Sequence, residues 1–505
     1  MTLFAPAPHL TTAQSDRAAG VLLAMACGDA LGAGYEFGPS LGPEVPVLMA
    51  GGGSFGWAPG EWTDDTSMAV AIAEVSAEGA DLLSTNAQDR IAARWAGWAA
   101  DAKDVGIQTR NVLATASRAA SARGDRSPTA ADVRSAAAAL HERTGKTAGN
   151  GSLMRTAPVA LAHLDDPEGL VAAATSLSAL THADPEAGEA CALWCLAIRH
   201  AVLEGSFDGV HGELHRLGAE RAAVWEERLR EAETHQPAHF DHNGWVVQAL
   251  QGAWSAISHA LAAEDAPAAA FPASHLRHAL EAAVRGGRDT DTVAAVAGAL
   301  LGARWGASAV PASWRRKLHG WPGVRARDLV RLGVLTARRG QPDAQGWPSG
   351  ATLDYSGWPR RSVVVRSPHD DQLWLSGVAS LAQLPEGVDA VVSLCRLGID
   401  DLPAAAVQAE DHVEIWLVDD PRPDRNPHLD YVLTEASDAI RELRSEGKTV
   451  LLHCVQAQSR TPTVAALYGA QLTGRSPRGC LADIQRVLPT AQPNAGMLAA
   501  LDRLA

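Results

Sequence analysis

The sequence predicts a multidomain protein: an all-α domain over residues 15–340, a linker over 341–360 and an α/β domain over 361–505. Three observations carry this reading. Apolar residues recur every three to four positions through the first part of the chain, as on one face of a helix. Beyond residue 361 that period gives way to short strand-like runs alternating with helical stretches. Between them, Gly340 to Arg361 crowds Gly-Gln-Pro, Trp-Pro-Ser-Gly and Gly-Trp-Pro together with neither period, which marks a boundary. The 505 residues allow two to four domains, at roughly 100 to 200 residues each.

In the first domain, Met68 to Val75, Val171 to Leu180, Ala187 to Val202 and Thr292 to Trp305 carry the helical spacing. No alternating β-branched run there is long enough for a sheet, and the abundant Ala implies close helix packing. In the second domain strands are predicted at Ser362 to Val365, Leu373 to Ser376, Ala390 to Leu394, Val413 to Val418 and Thr449 to His453. Helices are predicted at Leu429 to Ser445 and Thr463 to Thr473. Strand and helix in alternation indicate a largely parallel central sheet.

Hydrophobic residues make up 47% and charged residues 20%, a globular balance rather than a disordered one. No apolar run approaches the roughly 18 to 20 residues that span a bilayer, so a membrane protein is not expected. Met1 to Gln14 has no basic stretch ahead of an apolar core, and the six Cys form no disulfide framework. The expectation is a reducing cytoplasm. Cys27, Cys191, Cys195 and Cys395 lie in apolar segments and read as core. A net charge of −15 argues against a general nucleic-acid surface but leaves small anionic ligands open. Four Lys against 39 Arg reads as GC-rich bacterial coding.

Two acidic clusters each fall just before a helical segment: Thr63-Asp64-Asp65-Thr66 and Asp289-Thr290-Asp291-Thr292. A single cluster of this kind is most often a helix start, since Asp and Thr cap helices and acidic groups complement the dipole. Two in one domain point elsewhere, because a hard divalent ion takes several carboxylate and hydroxyl oxygens converging on one point. Mg²⁺ or Mn²⁺ fits; zinc, which recruits His or Cys, does not.

The residues at this point resemble the ADP-ribosylglycohydrolases, including the dinitrogenase reductase-activating glycohydrolases. The resemblance rests on Gly28-Asp29-Ala30-Leu31-Gly32, Glu36, Trp62 to Thr66, Gly149 to Arg155, Thr181-His182 and Asp289 to Thr292. It implies an all-α fold with two Mg²⁺ or Mn²⁺ held by Thr63, Asp64, Asp65, Asp289, Asp291 and Thr292. It also implies that Glu36 assists cleavage of a ribose glycosidic bond, through an oxocarbenium-like state that carboxylates stabilise. The loop Asn150-Gly151-Ser152 would lie against the ligand, and His182 would be a further contact. Arg288 departs from the Gly-Gly-Asp form common in relatives, which bears on the local loop geometry.

In the second domain an apolar strand, Val450 to Leu452, runs through His453-Cys454 into a loop and a helix beginning near Pro462, with Arg460 six residues after Cys454. A loop feeding a helix N-terminus can surround an oxyanion with backbone N–H groups, favour a thiolate and let Arg hold phosphate bidentately. The segment resembles the cysteine-dependent protein phosphatases of the dual-specificity type. By that resemblance Cys454 is the nucleophile, Arg460 binds phosphate, Thr461 assists breakdown of the phosphocysteine, and no cofactor is needed. The general acid would come from Val418 to Asp424, with Asp420 preferred over Asp419 and Asp424. Ala457 stands where that signature has Gly, and an Ala forced to positive φ costs about 1 kcal/mol.

The two readings predict an ADP-ribosyl hydrolase acting on a modified protein or small molecule, fused to a phosphatase acting on a phosphorylated substrate. The alternative is a module that binds ADP-ribose or phosphate without turning it over, in the second domain or in both.

Overall fold

The computed structural model describes residues 8–261, 271–402 and 407–505; the leader expectation for Met1 to Gln14 falls partly outside them. The described chain divides into two compact units, one of residues 8–261, 275–310 and 318–341, the other of 271–274, 311–317, 342–402 and 407–505. No helix among the described residues is long and apolar enough to cross a membrane.

The first unit is helical, and its centre is the pairing of helices Thr12–Gly32 and Thr290–Trp305. Both are buried almost all round, as Ala- and Gly-rich core helices must be. Their backbones touch. A Cβ at Gly28 would sit 2.1 Å from the Ala294 carbonyl oxygen, one at Gly298 2.3 Å from that of Ala24, and one at Gly302 2.0 Å from that of Gly20. Forcing side-chain atoms into such a seam costs at least the roughly 1–3 kcal/mol of an overpacked core. The seam sets the register that brings Gly32 against Asp291. The remaining long helices wrap this pair, and two of their buried indoles find backbone partners: that of Trp194 donates to the Val296 carbonyl (2.9 Å) and that of Trp95 to the Met68 carbonyl (3.0 Å). Strand structure in the described part of this unit is limited to a two-residue antiparallel pair, β1 (His319–Gly320) and β2 (Val324–Arg325).

The second unit is built on a five-stranded sheet of β3 (Val364–Arg366), β4 (Leu373–Gly377), β5 (Ala390–Ser393), β6 (His412–Glu414) and β7 (Val450–Cys454), in the order β3-β4-β7-β5-β6. Only β3 is antiparallel to its neighbour. The strand predicted at Val413 to Val418 is observed at His412–Glu414, ending where its partner β5 ends at Ser393. Central β7 is fully buried, so its carboxyl end, where parallel sheets place ligands, delivers Cys454. Helices Leu429–Ser445, Arg460–Thr473, Pro477–Val487 and Ala495–Arg503 complete the unit.

Residues 342–360 contain no helix or strand, yet they are not a free tether. Trp347 and Leu353 are buried, Tyr355 Oη donates to the Arg396 carbonyl (2.7 Å), and Arg396 stacks on Trp347 while pairing with Asp343 (2.7 Å). The second unit also includes the short helix Ala312–Lys317. Arg316 there is buried, donating to both Glu446 oxygens (2.8 and 2.7 Å) and to the Glu410 carbonyl (2.9 Å). All six cysteines are buried, and none is in a disulfide.

Candidate functional site

The two acidic clusters do begin helices, Asp64–Ser76 and Thr290–Trp305, but the N-cap residues Thr63 and Asp289 make no side-chain cap hydrogen bond. The first helix is capped instead from outside. Asp29 accepts from Thr63 N (2.9 Å), Thr66 N (3.0 Å) and Thr66 Oγ1 (2.6 Å). This frees the cluster carboxylates to converge. Asp29, Asp65 and Asp291 place carboxylate oxygens within 4.8 Å of one another, and Glu36, Asp289 and Asp291 do the same, so Asp291 belongs to both groups. The hydroxyls of Thr63 (3.1 Å) and Thr292 (3.4 Å) donate to Asp65 Oδ2. Asp64 belongs to neither group; its Oδ2 accepts from Gly106 N (3.1 Å).

Two buried acceptors, Glu36 Oε2 and Asp65 Oδ1, have no hydrogen-bond partner. Burial, then the neighbouring carboxylates, push Asp64 up to about 7 and Glu36 up to about 9, and hold Asp65 and Asp291 well above the usual carboxylate range. Asp29 rises to about 6, chiefly through burial. Two like charges 4 Å apart repel by roughly 4 kcal/mol even at a surface-like dielectric. A helix cap contributes only about 1 kcal/mol. Helix capping therefore does not account for this cluster, and its all-oxygen donor set is of the kind a hard divalent cation takes.

The surrounding loops hold the cluster. Phe37 N donates to the Arg288 carbonyl (2.6 Å) and Arg288 N to that of Gly38 (2.9 Å), tying the Glu36 loop to the loop before Asp289. Arg288 accepts a left-handed φ of 67° to do so. Asn150 Nδ2 donates to Asp289 Oδ2 (2.8 Å) and to the Asn243 carbonyl (2.9 Å), and Asn243 Oδ1 accepts from Asp289 N (3.2 Å). Ser152 is turned inward, accepting from Ser178 Oγ (2.9 Å). His182 is buried beneath the loop: a Cβ at Gly151 would meet its ring at 3.1 Å, and its Nδ1 pairs with Thr181 Oγ1 (2.8 Å). Burial and then Arg155 pull His182 down to about 3, so it is neutral. The structure thus places Asn150 beside the carboxylates, with Ser152 and His182 buried and hydrogen-bonded next to the same loop. Asp104, not singled out from the sequence, also approaches; burial, and to a lesser degree the charge of Asp289, raises its pKa against the lowering effects of the Val105 N–H and Arg110.

In the α/β unit Cys454 ends β7, Ala457 turns the loop with φ 53°, and helix Arg460–Thr473 begins at the arginine. Arg460 Nη1 donates to the carbonyls of Leu394 (2.7 Å) and Leu417 (3.1 Å). Its Nε and the Thr461 hydroxyl are buried without hydrogen-bond partners. His453, held near 3 mainly by burial, is bridged through Ser393 Oγ (2.7 Å) to His412 (2.9 Å). Asp420 is taken by Arg422, which donates to it from N (2.9 Å), Nε (2.9 Å) and Nη2 (2.6 Å); the pairing holds its carboxyl far below the usual range. Asp424 is exposed. Asp419 is the acidic residue of this loop that faces the cradle, 3.7 Å from Arg460 Nε and anchored by Asn494 Nδ2 (2.9 Å).

The sequence model of the ADP-ribosylglycohydrolases matches residues 10–343. The chain belongs to the ADP-ribosylglycohydrolase family. A relative from Pseudomonas putida, "ADP-ribosylarginine hydrolase Tri1", is 30% identical over 313 residues, 60% of this chain and 74% of that protein. The "ADP-ribosyl-[dinitrogen reductase] glycohydrolase" of Rhodospirillum rubrum is 28% identical over 321 residues, 60% of this chain and 90% of its own length. A third similarity, 31% over 77 residues, is to "Dual specificity protein phosphatase 1" of Arabidopsis thaliana and covers 15% of this chain and 39% of that protein. The match to the family covers the helical unit, and the five-stranded sheet of the α/β unit lies outside it.

Proposed function

We propose that the helical unit hydrolyses ADP-ribosylated arginine in a Mg²⁺- or Mn²⁺-dependent reaction, and that the α/β unit is a cysteine-dependent phosphatase. The observation that carries the first part is Asp291 shared between two carboxylate groups, with unpartnered acceptors on Glu36 and Asp65. Asp29, Asp65, Asp289 and Asp291 would hold the ions with Thr63 and Thr292, and Asp64 would join through its free oxygen. The ions supply orientation of the ribose hydroxyls and polarisation of water. As the C–N bond breaks and water adds to the anomeric carbon, Glu36 Oε2 takes the proton that water loses. A proton returns to the departing guanidine nitrogen. Asp104 and Glu36 are the carboxylates suited to receive a guanidinium. The arginine assignment draws on the Tri1 relatives, and release of ADP-ribose from ADP-ribosylarginine with each metal tests it. No release with either metal, alongside turnover of another ADP-ribosyl linkage, would move the substrate.

In the second unit Cys454 Sγ would attack phosphorus, Asp419 would give its proton to the leaving oxygen, and water would then cleave the phosphocysteine. Asp419 replaces Asp420 in this role because Arg422 occupies both oxygens of Asp420. The left-handed Ala457 favours one competing reading, a cradle that binds phosphate without turning it over. Quenched-flow trapping of a phosphocysteine separates the two.

A further inference from the structure

The Cys454 loop carries no charged side chain between Cys454 and Arg460, so any preference for a highly anionic ligand must come from neighbouring segments. Most arginines on those segments are already neutralised. Arg396 pairs with Asp343, and Arg422 and Arg425 with Asp420. Arg360 and Arg361 are different. Both are exposed, and among the described residues neither has a carboxylate within ion-pair distance. Arg361 is felt by Asp354 only at longer range.

Arg360 is held beside the cradle by its side chain and Arg361 by its backbone. Arg360 Nη1 reaches Gln458 Oε1 of the Cys454 loop at 3.5 Å. The Arg361 carbonyl accepts from Ala379 N (2.9 Å), and the adjacent Val378 N donates to the Val455 carbonyl (3.1 Å). The bare Gly377, where a Cβ would stand 2.3 Å from the Arg361 oxygen, lets the strip lie this close. Upstream the strip is pinned by Ile399 N to the Gly350 carbonyl and Asp400 N to that of Ala351 (2.9 and 2.7 Å). Trp358, 49% exposed, lies two residues before Arg360 on the same strip.

We propose that Arg360 and Arg361 form a second anion subsite beside the Cys454 cradle, so that the ligand of this unit is a phosphomonoester carrying a second phosphate. This rests on the cradle reading above. Two unneutralised guanidiniums on a pinned strip, in a chain of net charge −15, make a local positive field that a single phosphate in the cradle does not use. A nucleoside bisphosphate and an inositol bisphosphate share this chemistry, and only the nucleoside has a base to stack on Trp358.

The test is calorimetric binding to full-length Cys454→Ser, which keeps the loop N–H groups and prevents turnover. Probes are inorganic phosphate, adenosine 3′,5′-bisphosphate and inositol 1,4-bisphosphate. Both bisphosphates are expected to bind more tightly than phosphate. Adding Arg360→Ala and Arg361→Ala should weaken the bisphosphates by about tenfold, as exposed ion pairs allow, while phosphate changes less than about twofold. Trp358→Ala should weaken the nucleoside alone if a nucleotide is the ligand, and neither bisphosphate if it is a polyol. All three residues are exposed, so unchanged melting temperatures are expected. Undiminished bisphosphate binding in the double-arginine variant overturns the subsite and leaves the cradle standing. Loss of every probe, phosphate included, takes the cradle and the subsite together.

Discussion

In the helical unit the buried atoms left without hydrogen-bond partners include the acceptors Glu36 Oε2 and Asp65 Oδ1; in the α/β unit they include the donor Arg460 Nε and the Thr461 hydroxyl. One site gathers negative oxygens and raises carboxylate pKa values, as a cation site does before its cation arrives. The other sets a buried guanidinium at the start of a helix that follows the cysteine strand, a placement that suits an anion. They are also built differently. Asp29 and Asp291 stand on two buried helices whose register is set by backbone contact, whereas the cysteine loop passes through a left-handed alanine. At these two sites the unpartnered buried atoms differ in kind, and so does the backbone that supports them.

The largest test of this contrast is Asp291→Ala, which removes the carboxylate common to both groups. ADP-ribose release should fall by about 10³-fold or more, with the helical circular dichroism retained. Metal titration of wild type and variant checks the cause, and equal stoichiometry in both would dissolve the cation half of the comparison.

Next is the pH dependence of the metal-free helical unit. Asp29, Asp64 and Glu36 have folded values of about 6, 7 and 9 against ordinary values of 3.8, 3.8 and 4.5. They bind more protons folded than unfolded, so their stabilising contribution is present at low pH and is lost as pH rises through the folded values. Bound metal favours the charged forms. The gap in melting temperature between Mg²⁺-loaded and chelated protein should therefore widen from about pH 5 to about pH 8. A constant gap would mean the carboxylates are not coupled to the ion.

For the anion site, Arg460→Ala should weaken phosphate binding by about 10- to 100-fold. Cys454→Ser should abolish turnover while leaving that binding nearly intact. If the two variants bind equally well, the guanidinium is not the clamp.

The smallest effect concerns the backbone. Ala457→Gly relieves a φ of 53° and should stabilise the loop by up to about 1 kcal/mol, offset in part by glycine's greater unfolded-state freedom. It should also raise turnover, which a comparison of melting curves and initial rates will show. Unchanged rates would favour the binding-only reading.

What was legible in the sequence was local. Thr63 to Thr66, Asp289 to Thr292 and Cys454 to Arg460 are contiguous, so residue type and spacing revealed them. Asp104 and Asn243 were not legible, because each reaches the cluster from a loop far away in sequence. Asn243-Gly244 reads only as a turn. Asp29 is legible only as part of the Gly28 to Gly32 block, since its role is to cap a helix that starts 35 residues later. Which of Asp419, Asp420 and Asp424 Arg422 claims is a matter of rotamer rather than pattern. The stretch 341–360 was read as a linker from its Gly and Pro; Trp347 and Tyr355 were the signal that it packs.

The burial of Arg316 has a practical meaning for anyone cutting the gene. A fragment starting at residue 342, or at 361, keeps the whole five-stranded sheet and still omits the guanidinium that Glu446 and Asp411 share with Lys448. Such a fragment would expose carboxylates with half their counter-charge gone, and a soluble product would need residues 311–317 returned as a peptide or spliced on by a new connection. The two open reading halves are thus not interchangeable cassettes: one cannot be excised without taking a piece of the other's sequence.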